Sequence, residues 1–124
     1  ITGEIGNARA VIDREFNGKE VLERSILVRN PNDVKLEINL EPSEELKDIV
    51  ELIDDSFELQ PGEEKKARYR LVLDKEGSWN GRITVYFIPE EGSRVVLSSN
   101  LIIRIGDAEE IDEIPEEVII DEED

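Results

Sequence analysis

The stretch Ser25 to Leu40, SILVRNPNDVKLEINL, sets two apolar runs on either side of the turn cluster Asn30-Pro31-Asn32-Asp33. In the second run Val34, Leu36, Ile38 and Leu40 share one face while Lys35, Glu37, Asn39 and Glu41 share the other. This is the period of two that marks a half-buried strand. A slip of one residue would turn every apolar side chain outward, so the pattern also specifies register. The first run, Ile26, Leu27 and Val28, is apolar enough to be covered on both sides and belongs in the middle of a sheet. Together the two runs predict a β-hairpin-like corner.

Working outward, the same alternation of short strand and turn recurs. Ala8, Ala10 and Ile12 define a first strand whose small residues imply close packing, and Asn17-Gly18 turns it toward Val21 to Arg29. After Pro42, Ser43 is placed to cap a short helical turn that points Leu46 inward. Ile49 to Ile53 reads as a short strand, and Phe57 and Leu59 point inward before Pro61-Gly62, which suits a type II turn. Ala67, Tyr69, Leu71 and Leu73 alternate, as do Ile83, Val85 and Phe87. Between them Asp74 to Gly81 reads as a loop carrying Trp79. Pro89 to Gly92 closes a hairpin onto the longest strand, with Val95, Leu97, Leu101, Ile103 and Ile105 on one parity before Gly106 breaks the pattern. About seven short strands with Gly and Pro turns, and no long crossover helix, predict an all-β antiparallel sandwich over residues 1–106. Residues 107–124 form a separate acidic tail, a donated strand or a linker.

Composition narrows the chemistry. At 124 residues the chain makes one domain with a core of its own. It has no Cys and no His, which excludes disulfides, thiolate metal sites, Ser-His-Asp and Cys-His catalysis and histidine-ligated metals. The absence of Met and the single Gln, beside abundant Glu, Lys, Arg and Ile, resemble the composition of hyperthermophile proteins. Ile1 in place of an initiating Met is the expected result of a cleavage or a cut, and any signal or anchor is expected outside this chain. The formal charge is −17, and eleven of the acids lie between Asp107 and Asp124, where there is no basic residue. Residues 1–106 therefore carry −6. An acidic chain without a basic stripe does not suit nucleic acid, and no apolar run is long enough for membrane insertion.

The candidate sites are few. Asp54-Asp55, Asp74 with Glu76, and Asn30, Asn32 and Asp33 are oxygen-rich loops of the kind that bind Ca²⁺, but no EF-hand spacing is present and these residues are also ordinary turn formers. Trp79 is either an exposed platform for a ligand such as a sugar or a plug at the end of the sandwich. No Asn heads a glycosylation sequon. In the tail, Ile111, Ile114, Val118, Ile119 and Ile120 are more apolar than a solvating linker needs, and Glu117 to Asp121 is a compact strand candidate.

Three pieces carry a resemblance. Val28-Arg29-Asn30-Pro31, Phe57 to Glu63 (FELQPGE) and Gly77 to Ile83 (GSWNGRI) resemble the V-x-N, F-x-L-x-P-G-E and G-x-W/Y-x-G-x-I pattern of immunoglobulin-like domains. The particular likeness is to archaeal surface-protein domains distantly similar to PapD-like and major-sperm-protein-like sandwiches, and it spans roughly residues 8–105. These motifs are turn and core residues. The resemblance implies an immunoglobulin-like β-sandwich acting outside the cell or in the envelope, in adhesion, scaffolding or assembly, and carries over no catalytic residues; separately, no cofactor other than Ca²⁺ is expected.

The expectation is a non-enzymatic surface module whose partner is its own kind or another surface protein. In the sharper version it is a filament subunit, in which Ile111 to Asp121, or the segment containing Ala8, Ala10 and Ile12, completes the sheet of the next copy. A monomeric envelope domain, a PapD-like module with an open edge for a foreign peptide, and a Ca²⁺-dependent sugar-binding domain built on Trp79, Asp74 and Glu76 are the alternatives.

Overall fold

A computed structural model describes residues 1–106; the tail, with Ile111, Ile114, Val118, Ile119 and Ile120, lies outside the described residues. The strands are β1 (Glu4–Ile5), β2 (Arg9–Arg14), β3 (Glu20–Arg29), β4 (Leu36–Pro42), β5 (Val50–Leu52), β6 (Ser56–Leu59), β7 (Glu64–Leu73), β8 (Gly77–Pro89) and β9 (Val95–Ile105). They form an immunoglobulin-like sandwich of two sheets, β1-β3-β7-β5 and β2-β9-β8-β4-β6. Alternate residues of both inner faces meet in one core that includes Ile26, Val28, Leu36, Ile38, Leu71, Val85, Phe87 and Ile103. Phe87 is the largest of the fully buried side chains.

The stretch from Ser25 to Leu40 is a corner, and it joins the two sheets instead of pairing with itself. β3 pairs with β1 and β7, whereas β4 pairs with β6 and β8. The reason lies in Asn30, whose side chain is 0 % exposed. Its Nδ2 donates to the carbonyls of Val34 (2.8 Å), Leu59 (3.1 Å) and Gln60 (3.2 Å), and its Oδ1 accepts from the backbone N–H and the side-chain amide of Asn32. The Asn30 backbone bonds to Glu63 and Gly62. One buried amide thus ties the β3–β4 corner to the β6–β7 turn. Val34, expected inward, lies outside β4 and is exposed, because the chain is still crossing between sheets there.

Other expectations were met with local changes. The Gln60–Glu63 turn has Gly62 at φ 79°, with the Glu63 N–H donating to Gln60 O at 3.0 Å, as type II geometry requires. Glu44–Leu46 is a single 3₁₀ turn with Leu46 buried. Ser43 makes no cap bond. Its hydroxyl accepts the Arg82 N–H at 3.0 Å, so it pins the turn to β8. Phe57 and Leu59 belong to a strand of their own, β6. Trp79 lies in β8, because Gly77 to Gly81 pair with Ile105 to Leu101 and the long β9 demands a partner along its whole length.

The N-terminal segment divides between the sheets: the expected first strand is β2, and Glu4–Ile5 forms a further strand, β1. β1 runs antiparallel to β3, the chain crosses at Asn7-Ala8, and β2 then runs parallel to β9, the one parallel pairing among the described strands. Ser99 and Asn100 hold the crossing, the Ser99 hydroxyl donating to Asn7 O at 2.6 Å and the Asn100 N–H to Ala8 O at 2.8 Å. Ala10 and Ile12 face inward opposite Leu101 and Ile103.

Candidate interaction surface

The division of the N-terminal segment between the sheets creates a distinctive surface among the described residues. β1 covers β3 only from Leu27 to Arg29, through the pairs Glu4–Arg29 and Ile5–Val28 and the Gly6 N–H bond to Leu27 O at 2.8 Å. Backbone polarity alternates along an antiparallel strand. Val21, Glu23 and Ser25 share the parity of Leu27 and so direct their N–H and C=O groups away from β7. No described strand pairs with them. An edge of this kind is a template for another strand.

The side chains along that edge are a mixture. Val21 is 51 % exposed, the largest exposure of any bulky apolar residue described, and Leu22 is half-buried against the core. Arg24 stands on the inward parity, in register with the buried Tyr69, yet remains exposed. Its guanidinium donates to the carbonyl of Glu23 at 3.0 Å, one of the outward-facing acceptors. Glu20 is held by Arg14 through two bonds, Nε to Oε1 at 2.9 Å and Nη2 to Oε2 at 2.6 Å.

The outer face of the same sheet is ordered by ion pairs. Arg29 bonds Glu64 (2.9 Å) and Glu4 (3.3 Å), and hydrogen bonding to Glu64 first and Glu4 next raises its pKa. Arg70 reaches Glu51 at 3.4 Å. Arg68 grips Asp54 through Nε (2.8 Å) and Nη2 (3.2 Å) while its backbone N–H donates to the same carboxylate. The hydrogen bonds from the Arg68 side chain and backbone hold Asp54 well below the usual carboxylate range, at about 2.

These contacts bear on the calcium candidates. Asp54 is committed to Arg68, whereas Asp55, Asp74 and Glu76 stand exposed on the surface. Asn30 is a buried structural pin, and Asn32 bonds to Asn30 and Thr2. Among the described residues no group of three or more acidic side chains is placed to hold a metal. Trp79 is half-buried on the inward parity of β8 and packs against the core, its ring so close to Gly77 that a Cβ there would meet it at 3.0 Å. The rest of the ring stays partly exposed beside Ser78, Asn80 and Arg104. The larger surface depressions are open and lined by charged loops, such as that formed by Asp13, Arg14, Asn17 and Lys19. No described helix is long and apolar enough to cross a membrane. Ala8 lies at the crossing and Ala10 and Ile12 in β2, seated on the chain's own sheet. Sequence reasoning missed the open edge of β3, because nothing in the Glu20–Ser25 pattern reveals how far the first strand extends beside it.

No protein-family model matches the sequence, and no curated protein matches it. Solved structures do match. The ASH/PapD-like domain (PapD-like domain 7) of human CEP192 has a TM-score of 0.71 at 14 % identity over 86 % of each chain. The periplasmic chaperone SfaE has a TM-score of 0.62 at 15 % identity, over 86 % of this chain and 59 % of that one. WR4, an MSP family member of C. elegans, has a TM-score of 0.53 at 6 % identity, over 84 % and 97 % of the two chains. At these identities the likeness is one of fold: the chain has the PapD-like and MSP-like immunoglobulin sandwich.

Proposed function

We propose that this chain is a non-enzymatic structural or adhesive module of a cell surface or envelope, of thermophilic and archaeal origin, that associates by adding strands to sheet edges. The observation that supports this reading most is the unpaired run of β3 at Val21, Glu23 and Ser25, beside a first strand that has moved to the other sheet. Main-chain bonds at such an edge supply affinity, and alternate side chains supply register. Its partner is its own kind or another surface protein. The periplasmic setting of the chaperone SfaE, whose fold is similar, is consistent with an envelope module.

In the sharper form the chain is a filament subunit. A terminal segment of one copy, either Ile111 to Asp121 or the segment of Ala8, Ala10 and Ile12, completes the sheet of the next. The slot beside β9, filled here by the chain's own β2, is the acceptor for the second of these. Head-to-tail pairing of this kind propagates unless its rotation closes a ring. Light scattering and electron microscopy of the full chain and of a chain ending at Gly106 test it. Filaments that vanish on truncation identify the tail as donor, and filaments that persist identify the N-terminal segment. Monomers or dimers alone in both samples refute the filament.

The same open edge favours a second reading, a module that takes up an extended foreign peptide. Saturable binding of apolar extended peptides, lost when Glu23 is replaced by proline, would support it. The packing of Trp79 speaks against the sugar-binding alternative.

A further inference from the structure

We infer that the open edge of β3 pairs with β3 of a second copy, antiparallel, about a twofold axis through Leu22. This rests on the strand-addition reading above and names the partner at that edge. An interface between identical copies must be self-complementary, and the register centred on Leu22 meets this requirement. It sets Leu22 against the partner's Leu22, Arg24 against the partner's Glu20, and Glu20 against the partner's Arg24. The neighbouring register, centred on Glu23, opposes two carboxylates and is disfavoured.

The backbone fits the same register. Val21 and Glu23 carry the outward N–H and C=O groups, so each bonds the other across the axis, about four main-chain bonds in all. Leu22, Glu20 and Arg24 then fall in the non-hydrogen-bonded pairs, where side chains approach most closely. The paired run from Glu20 to Arg24 ends before Leu27, where Gly6 already occupies the edge. Glu20 is oriented beforehand by Arg14, which leaves its carboxylate able to accept a further guanidinium.

Arg24 makes the edge selective. In the single chain it donates to Glu23 O and so covers the acceptor that the partner's Val21 N–H needs. An arbitrary strand would leave this charge pointing inward without a partner, which is how natural edges resist promiscuous pairing. Only a strand that brings a carboxylate opposite Arg24 releases it. The interface is small, so the dimer is weak in solution and gains from the high local concentration of a surface array.

Sedimentation of the full chain with single substitutions tests the proposal. The native chain is expected to dimerise in the micromolar range. Arg24→Glu and Glu20→Arg each turn two attractive pairs into repulsive ones, and each weakens self-association about 30-fold. An equimolar mixture of the two variants restores both attractive pairs across the axis, though not the Arg14–Glu20 pair within the Glu20→Arg copy, and recovers a heterodimer at least about 10-fold tighter than either variant with itself. Glu23→Pro removes only an outward N–H and abolishes pairing without breaking the β7 ladder. As a readout independent of stability, Leu22→Cys in this cysteine-free chain forms a disulfide-linked dimer under mild oxidant, since Cα atoms at the axis lie about 4.5 Å apart. Ser25→Cys does not. A native chain that stays monomeric at millimolar concentration overturns the proposal. Loss of association with Glu23→Pro, but no effect of the charge variants or their mixture, overturns the twofold partner while leaving strand addition intact. Association indifferent to all the variants overturns both at this edge.

Discussion

Replacing Asn30 with alanine removes the polar pin of the sandwich. The substitution withdraws the donor shared by Val34 O, Leu59 O and Gln60 O and the acceptor used by the Asn32 N–H. The Asn30 side chain has no exposure, so these groups do not simply turn to bulk water. Each buried group left unsatisfied costs about 1–3 kcal/mol. Partial relaxation and entry of water at the corner reduce the sum, and the net loss is about 3–4 kcal/mol. For a domain of this size the melting temperature falls by about 15 °C. Urea unfolding followed by Trp79 fluorescence measures the loss as a lower midpoint with unchanged slope. Asn30→Asp adds a signature. Burial among carbonyls raises the carboxyl pKa of that variant above its unfolded value. Its deficit against the native chain is therefore smallest below about pH 4 and widens as pH rises toward the folded pKa. A loss below about 1 kcal/mol for Asn30→Ala, or a deficit for Asn30→Asp independent of pH, would refute the view that this amide holds the corner.

Three further outcomes follow from single contacts. The folded pKa of Asp54, about 2 against an ordinary 3.8, means that its stabilisation is complete above the unfolded value and is lost as pH falls from 3.8 toward 2; the stability difference between the native chain and Asp54→Asn, about 1 kcal/mol near neutrality because Arg68 is half exposed, should close over that window in acid titrations. Gly81→Ala drives a Cβ to 2.5 Å from Ser43 Oγ and 2.8 Å from Leu46 Cγ, so thermal unfolding should reveal a loss of about 2 kcal/mol. Ser99→Ala leaves Asn7 O without its 2.6 Å donor at the crossing, and hydrogen exchange should show faster opening of β2 than of β4, with a stability loss of about 1 kcal/mol.

The sandwich was legible because its signals are local and repeated. Leu36, Ile38 and Leu40, then Ala67, Tyr69, Leu71 and Leu73, then Ile83, Val85 and Phe87 announce their inner faces by alternation alone, and all are buried. The Pro61-Gly62 turn was legible from its backbone requirements. What a neighbour decides was not legible. Gly77 to Gly81 has the composition of a loop and is a strand because Leu101 to Ile105 lies beside it. Asn30 has the look of a turn former, and its burial depends on Leu59 and Gln60, some thirty residues away. The site was the least legible of all, since the open edge of β3 is defined by where β1 stops pairing and the chain crosses to β9.

That crossing links fold to association through charge. A chain of net charge −17 repels its copies, yet most of the excess lies beyond residue 106, and the described part carries only −6. Along the open edge the balance is finer still: Lys19 and Arg24 match Glu20 and Glu23, so the strand is locally neutral. Long-range repulsion between copies is damped within a Debye length of about 10 Å at ordinary ionic strength, whereas contacts between Arg24 and an opposing carboxylate act at a few ångströms and survive. Two opposed demands are met in different places. The acidic surface and tail oppose indiscriminate aggregation of a protein with exposed edges, and the neutral edge is where the opposition is weakest. If strand addition took place at an edge lined by unpaired acids, such as one flanked by Asp74 and Glu76, each encounter would have to overcome repulsion at the point of contact itself. The half-covered β3 avoids that, and its arrangement follows from the chain leaving one sheet for the other at Asn7-Ala8.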